Sequence, residues 1–342
     1  MMKRKRGCAV TLLILTLLLI VALVVGYYFY NQVFTTNSRS DNQKITILIP
    51  SGSNYNDVLR QLVDSQIVSD EFIFDKVARR MNYPNHVHPG RYTVNSGISM
   101  YHLIRKLRSA ESEPVRVALD RVSDIYEWAA KAGNALEIDS AQITDTLISK
   151  YFLKENGVNE NNVLSLFIPD TYEFYWEISL KAFINRMQKE YQKFWTTERK
   201  EKANELGLSL NEVYILASIV QEEAVIVDEM PRIAGVYINR LKKNMALQAD
   251  PTIKYIVRKR TDKKVYLADY KIVSLYNTYV NTGLPPGPIA ITSSKAIDAV
   301  INFEKHQYIY FCARADGSGY HEFTADYNQH IRNRNLYIKA KN

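Results

Sequence analysis

The run ASIVQEEAV, Ala217–Val225, is apolar until it reaches two adjacent carboxylates, Glu222 and Glu223. A carboxyl at an apolar edge is desolvated, which favours its neutral form and suits it to donate a proton near neutral pH. On a helix the two residues face different ways. Glu223 follows Val220, Ile219 and Leu216 by three, four and seven residues, and so sits at the edge of their apolar face. Glu222 is turned about 100° from it, above Ser218 and Ile215. The two do not converge as a catalytic pair, and Glu223 is the better candidate for a general acid. The competing reading is a helix-end glutamate whose stem packs while its carboxylate reaches water.

Other positions carry groups suited to a sugar. Gln248 in LQADPT can bind an amide or a sugar hydroxyl, and equally a neighbour in its own loop. In YNTY, Tyr276 and Tyr279 can pack against a sugar ring while Asn277 bonds an acetamido group. With 24 tyrosines in the chain, a core position is the competing assignment for each ring. Asp250 reads as a helix cap rather than a catalyst. The histidines are scattered, apart from His86 and His88 on one strand face. No H-E-x-x-H or cysteine-rich spacing is present, so no metal site is expected. Neither a GxSxG elbow nor a P-loop occurs, and no cofactor is expected.

The elements that must position these groups can be read from hydrophobic period and caps. Ser209 and Glu212 have capping-box spacing and start the helix that carries Glu223. Before it, Leu180, Phe183, Ile184, Met187, Tyr191, Phe194 and Trp195 form one helical stripe from Ser179, which Gly207 can end. After it, DEMPRIAGVYINRLKKN is an amphipathic helix with Asp228 at its N-cap. DPTIKYIV starts another, with Asp250 at the N-cap and Pro251 at the first helical position. GLPPGPIA is a stiff extended loop, SSKAIDAVI a short helix, and QYIYFCAR with GYHEFT a hairpin across ADGS. Nearer the N-terminus, ITILIP, two helices and GRYTV, followed by SMYHLIRKL and EPVRVAL, form a small α+β module over 45–118.

At 342 residues the chain allows roughly two domains beside any segment outside a core. From Gly7 to Tyr30 no charge occurs, and as a helix of about 22 residues this run would span about 33 Å, enough for a bilayer core. It is longer than a signal-peptide apolar region, no small-x-small cleavage site follows, and Tyr27–Tyr30 suit an interfacial belt. The expectation is a retained single-pass anchor over 7–30, with a cytoplasmic tail, 1–6, and a polar tether, 31–44. Half of the formal +8 charge lies in Lys3–Arg6, which should keep that end in the cytoplasm. No basic run with interleaved aromatics suggests nucleic acid. Cys8 and Cys312 are too far apart to form a disulfide framework, and Cys312 reads as a core residue.

Taken in order, FIPDTYEFY at 167–175, ASIVQEEA at 217–224, AGVYINRLKKNMALQADPTIKY at 234–255, YNTYVNTGLPPGPIA at 276–290 and GSGYHEF at 317–323 resemble one family. That family is the MltG (YceG-like) group of membrane-anchored endolytic murein transglycosylases. The resemblance is strong over about 165–330 and weaker before. It implies a LysM-like module at 45–118 and a mixed α+β catalytic domain at 119–342. The family pattern, ASI-[IV]-E-x-E-T, places its catalytic acid/base on Glu223. Its first Glu is Gln221 here and its Thr is Ala224, so neither position inherits a catalytic role. Gln248, Tyr276 and Asn277 fall on the family's L-Q-x-D-P-T and Y-N-T-Y segments and are assigned to substrate binding.

The implied reaction cuts nascent glycan strands internally between N-acetylmuramic acid and N-acetylglucosamine, leaving 1,6-anhydro ends. One carboxylate serves as acid and then base, and no partner for Glu223 is evident in the sequence. The expected place is the inner (plasma) membrane, with the catalytic domain outside. The expected partners are peptidoglycan strands, the membrane and peptidoglycan synthases. Two other readings stand beside this one: a non-catalytic wall-binding scaffold, and a hydrolase that uses Asp250 as second carboxylate.

Overall fold

The computed structural model describes residues 2–35, 43–262 and 264–341 as a mixed α+β protein with one long apolar helix at the N-terminus. Helix α1, Met2–Phe34, starts before and ends after the expected 7–30 span. Its stretch Thr11–Phe34 has 24 residues, about 36 Å at 1.5 Å per residue and long enough to cross a bilayer core. Side chains from Thr11 to Tyr30 are exposed. Val33 is buried at the other end, and the Phe34 ring lies 5.3 Å from that of Tyr101. Of the expected tether, 31–34 are the last turn of α1, and 36–42 lie outside the described residues, as do the side chains of the expected tail.

The chain gathers into two bodies, Met1–Val115 with Glu173–Glu177, and Arg116–Tyr172 with Ile178–Asn342. In the first, β1 (Lys44–Ile49) pairs antiparallel with β2 (Gly90–Asn95), Lys44 opposite Asn95 and Ile49 opposite Gly90. Between them lie α2 (Tyr55–Asp64) and α3 (Glu71–Arg80), and after them α4 (Met100–Arg108). Period-two alternation turns Ile47, Ile49, Tyr92 and Val94 inward. They meet Val58 and Leu62 of α2, Phe74 of α3 and Leu103, Ile104 and Leu107 of α4 in one core. An Asn54–Asp57 capping box, Asp70 and Ser99 fix where the three helices begin. Strand β3, Val115–Ala118, ends the order read from the sequence.

The second body starts at Arg116 in β3 and continues with α5 (Ile125–Ala135), α6 (Ser140–Leu147), α7 (Lys150–Glu155) and the first two residues of β4 (Thr171–Phe174). The single long helix expected after Ser179 is two helices, α8 (Leu180–Phe194) and α9 (Thr197–Glu205). Trp195 leaves helical geometry at ψ 74°, and the Thr196 side chain then accepts from the Arg199 amide and caps α9. Gly207 follows at φ +71°, the left-handed position that ends such a helix.

Helix α10, Leu210–Glu223, starts at the expected Ser209–Glu212 capping box. Every residue from Val213 to Val220 is buried. Around it pack α11 (Met230–Lys242), α12 (Asp250–Val257) and α13 (Ser294–Ile301). Asp228 does not cap α11: it lies in a 3-10 turn, and the helix begins at Met230 with Pro231 in its first turn. Asp250 does not cap α12 either, since Ala249 holds that position and the Asp250 carboxylate is used elsewhere.

The hairpin forms as expected, β5 (Tyr310–Ala313) pairing with β6 (His321–Thr324), Cys312 opposite Glu322. Cys312 is half-buried rather than a core residue, and partial burial pushes its thiol pKa up. A C-terminal helix, α14 (Tyr327–Lys341), has no counterpart in the sequence reading, because it buries no residue and shows no apolar face. It rests on the hairpin through Tyr310 and His330, whose rings stack at 5.3 Å.

Candidate active site

Glu223 is the last residue of α10, and the helix sets its chemistry. The buried run before it fixes the axis of α10 in the core, so only the final turn emerges. Glu222 there is exposed, whereas Glu223 is half-buried, with Oε2 fully enclosed and without a hydrogen-bond partner among the described residues. Its pKa is pushed up to about 7, first by burial and then by the negative charge of Asp250; Lys254 opposes the shift. The C-terminal end of a helix dipole also disfavours a negative charge. A carboxyl in this state keeps its proton close to neutrality and can release and recover it there.

Asp250 begins α12 and is exposed. Its Oδ1 accepts from two phenols, Tyr279 at 2.5 Å and Tyr270 at 3.2 Å. The two rings meet edge to face, 4.7 Å apart. Burial, followed by the bond to Asp250, raises the Tyr279 hydroxyl pKa, and the Glu223 charge acts on both phenols and on buried Tyr237. Glu223, Asp250, Lys254, Tyr270 and Tyr279 therefore form one electrostatic cluster. Sequence reasoning offered Asp250 beside Glu223 only as the second carboxylate of the hydrolase alternative, because 27 residues separate them. It weighed Tyr279 beside Tyr276, and the YNTY spacing was the signal for it.

Gln248 is exposed two residues before Asp250, in the left-handed region at φ 51°. Its amide donates to the Thr278 carbonyl at 2.9 Å, tying LQADPT to YNTY. Its Oε1 accepts from Arg240 Nη1 at 3.3 Å, and its side-chain NH₂ makes no bond among the described residues. Arg240 is itself buried; its Nη1 also donates to the carbonyls of Ala246 and Leu247, and its Nε to that of Ile309.

Asn277 is fully buried. Its Nδ2 donates to the carbonyls of Ile272 at 2.8 Å and Tyr270 at 3.1 Å, and its Oδ1 accepts from the Tyr279 amide at 2.9 Å. Its amide is thus spent on holding the two tyrosine segments of the cluster. Tyr276 turns elsewhere: its ring packs on Tyr255 at 4.8 Å, and burial raises its hydroxyl pKa. The structure brings Gln248 and Glu223 to the ends of elements that meet Asp250 and YNTY, but it places Tyr276 on a different cavity.

Two supports account for the altered motif and the hairpin. Gln221 donates from Nε2 to the Ile291 carbonyl at 3.0 Å and accepts at Oε1 from the Ser293 amide at 2.8 Å. It uses a donor and an acceptor together, a pairing an ionised Glu cannot supply. Glu229 and His321 are both buried and bonded at 2.8 Å, and both Glu229 oxygens also accept from the His321 amide. This pins β6 to the start of α11, and a Cβ on Gly319 would lie 3.3 Å from Val225, just past Glu223. The GSGYHEF segment therefore backs the turn that follows Glu223. No cluster of metal-ligating side chains occurs among the described residues.

A family model described as the YceG-like family matches residues 47–336. An endolytic murein transglycosylase of Bacillus subtilis (strain 168) is 29% identical over 335 residues, covering 93% of this chain and 91% of that protein. An endolytic murein transglycosylase of Streptococcus pneumoniae (strain D39) is 26% identical over 92% of this chain, which spans 63% of that longer protein. The crystal structure of a yceG-like protein from Listeria monocytogenes superposes with a TM-score of 0.55 at 25% identity, covering 85% of this chain and 99% of that one. With the family model matched over most of its length and the same mixed architecture, the chain belongs to the YceG-like family.

Proposed function

We propose that this protein is a membrane-anchored endolytic peptidoglycan lytic transglycosylase with Glu223 as its general acid/base. The observation that carries the reading is the enclosed, unpartnered Oε2 of a carboxyl whose pKa is raised to about 7. The names of the relatives support the reaction class. Protonated Glu223 delivers its proton to the glycosidic oxygen between N-acetylmuramic acid and N-acetylglucosamine. The carboxylate so formed takes the proton of the muramyl 6-hydroxyl as that oxygen bonds to the anomeric carbon. The bond to the leaving sugar breaks, the 1,6-anhydro ring closes, and Glu223 is neutral again. The free NH₂ of Gln248 bonds the strand, and the ring of Tyr279 replaces Tyr276 as the sugar-packing surface. Asn277 positions Tyr279 from behind.

The rest of the molecule is assigned to match. The stretch 7–30 of α1 is the anchor, and the body at 45–118 is a LysM-like glycan-binding module. The catalytic part, 119–342, works on the outer side of the plasma membrane on nascent strands, where peptidoglycan synthases are its partners.

One observation favours a second reading. Asp250 stands close enough to Glu223 for its charge to raise the Glu223 pKa, and a second carboxylate is what a hydrolase needs to activate water. The lytic reading stands first because Asp250 Oδ1 already holds two phenolic donors. Incubation of purified glycan strands with the full-length protein in detergent, and with its Glu223→Gln variant, tests the assignment. The expected result is new internal fragments with the wild type and a rate lower by about 10²–10⁴-fold with the variant. Intact strands with the folded, glycan-binding wild type would make the protein a wall-binding scaffold instead.

A further inference from the structure

A cavity of about 410 Å³ opens in the second body beside α12, and none of Glu223, Gln248, Asp250 or Tyr279 lines it. Its volume is in the range of small-ligand pockets. On α12, Tyr255 lies five residues after Asp250, about 140° round the helix, and Arg258 lies about 12 Å along the axis from Asp250. The cavity is therefore separate from the Glu223 cluster but borne by the same rigid element, at a distance of the order of one disaccharide repeat.

Its walls combine an aromatic floor with charges of both signs. The Arg258 guanidinium stacks 3.8 Å from the Tyr255 ring centroid, and Tyr255 packs on Tyr276. Arg258 also bridges to Asp124 at 3.5 Å, across the cavity wall from α12 to the start of α5. Glu160 and Lys259 are exposed on the rim and make no ion pair among the described residues. A neutral sugar needs no such pair of opposed charges. A short zwitterionic peptide does, with a carboxylate for Lys259 and Arg258 and an ammonium group for Glu160 and Asp124.

The geometry points to this cavity as a subsite for the peptide stem of the murein strand, engaged while Glu223 acts on the glycan one repeat away. This rests on the proposed glycan-cleaving function, because murein is the strand that carries such stems. The Arg258 guanidinium and the Tyr255 and Tyr276 rings, tilted 39° to each other, would receive the peptide backbone, and the rim charges would fix its direction.

The test uses the full-length protein in detergent and a Glu160→Gln/Lys259→Met variant, both substitutions being at exposed positions. Cleavage is measured on stem-bearing strands and on strands stripped of stems by an amidase. Binding of the free stem tetrapeptide is measured by calorimetry on the same samples. The expected result is that the wild type cleaves stem-bearing strands at least about 10-fold more efficiently. The variant loses that preference while cutting bare strands normally, and its peptide affinity falls at least about 10-fold, equivalent to ~1.4 kcal/mol. Equal cleavage of both strands by the wild type, or a variant that keeps its preference and its peptide affinity, would overturn the subsite. If the wild type cleaves neither strand, the cleavage reading fails, and the peptide titration alone decides: variant-sensitive binding supports the subsite, and its absence overturns it.

Discussion

At the scale of single residues, the account turns on why Glu223 holds a proton near neutral pH. Burial supplies the larger part and Asp250 the next, with Lys254 in opposition. Asp250→Asn removes a negative charge, so the Glu223 pKa falls and the alkaline limb of the pH–rate profile moves to lower pH. An unmoved limb would separate the two carboxylates. The same shift has a stability consequence. The Glu223 pKa is about 7 in the folded state against 4.5 as the ordinary value, so the folded protein binds the proton more tightly. Its contribution is fully present below about pH 4.5 and is lost as pH rises through about 7, a difference of about 3 kcal/mol. Glu223→Gln should therefore melt higher than wild type at about pH 8.5 and close to it at about pH 4, as thermal unfolding would show. The sequence made Glu223 legible through helical spacing and the family motif. Asp250 entered only through the hydrolase alternative and otherwise read as a helix cap, because the packing of α12 against α10, and not any local spacing, brings the two together.

At the scale of elements, the site depends on how α10, α12 and the YNTY segment are locked. Glu223 is half-buried and Glu222 exposed on a helix that has no single apolar face, since Val213 to Val220 are all buried. Ile215 and Ser218, which lie beneath Glu222, are buried as well, and Ser218 Oγ accepts from the Ile289 amide at 3.1 Å. Glu222 is exposed because the last turn leaves the core, not because its side of the helix is solvated. The Ser209–Glu212 capping box starts α10 as its sequence spacing suggests. Asp228 and Asp250 had the same residue type at the same kind of boundary, but tertiary contacts claimed the chain there. Asn277, expected to bond an acetamido group, bonds its own backbone, and an amide in a tyrosine-rich loop looks the same in sequence either way. Asn277→Ala strands two buried carbonyls and one amide, at about 1–3 kcal/mol for each unsatisfied group. It should lower the melting temperature and the cleavage rate together, whereas Tyr279→Phe, which keeps the packing ring, should cleave faster than Tyr279→Ala, which removes it. Normal activity for Asn277→Ala would remove its positioning role. Gly287→Ala should be as damaging as Asn277→Ala, because a Cβ there would lie 1.9 Å from the Asn161 carbonyl oxygen.

At the scale of the whole molecule, the long apolar helix was legible from composition alone. The first body follows the order read from the sequence, because its short helices each have a clear cap and an alternating or helical apolar set. The division of α8 from α9 was not legible, since the apolar stripe runs through Trp195 and only the cap geometry at Trp195 and Thr196 breaks the helix. Nor was α14, whose sequence has no periodic apolar face. The anchor reading predicts that carbonate washing of membranes leaves the full-length chain in the pellet. Release into the supernatant would make α1 something other than a spanning helix.

The central claim is that Glu223 drives ring closure by the strand's own hydroxyl rather than attack by water. Its most direct test is mass spectrometry of the new reducing ends released by the full-length protein in ¹⁸O-labelled water. The account predicts muramyl ends lighter by one water than a hydrolysed end, carrying no label, and absent with Glu223→Gln. Labelled, full-mass reducing ends that also require Asp250 would contradict it and give the site to a two-carboxylate hydrolase.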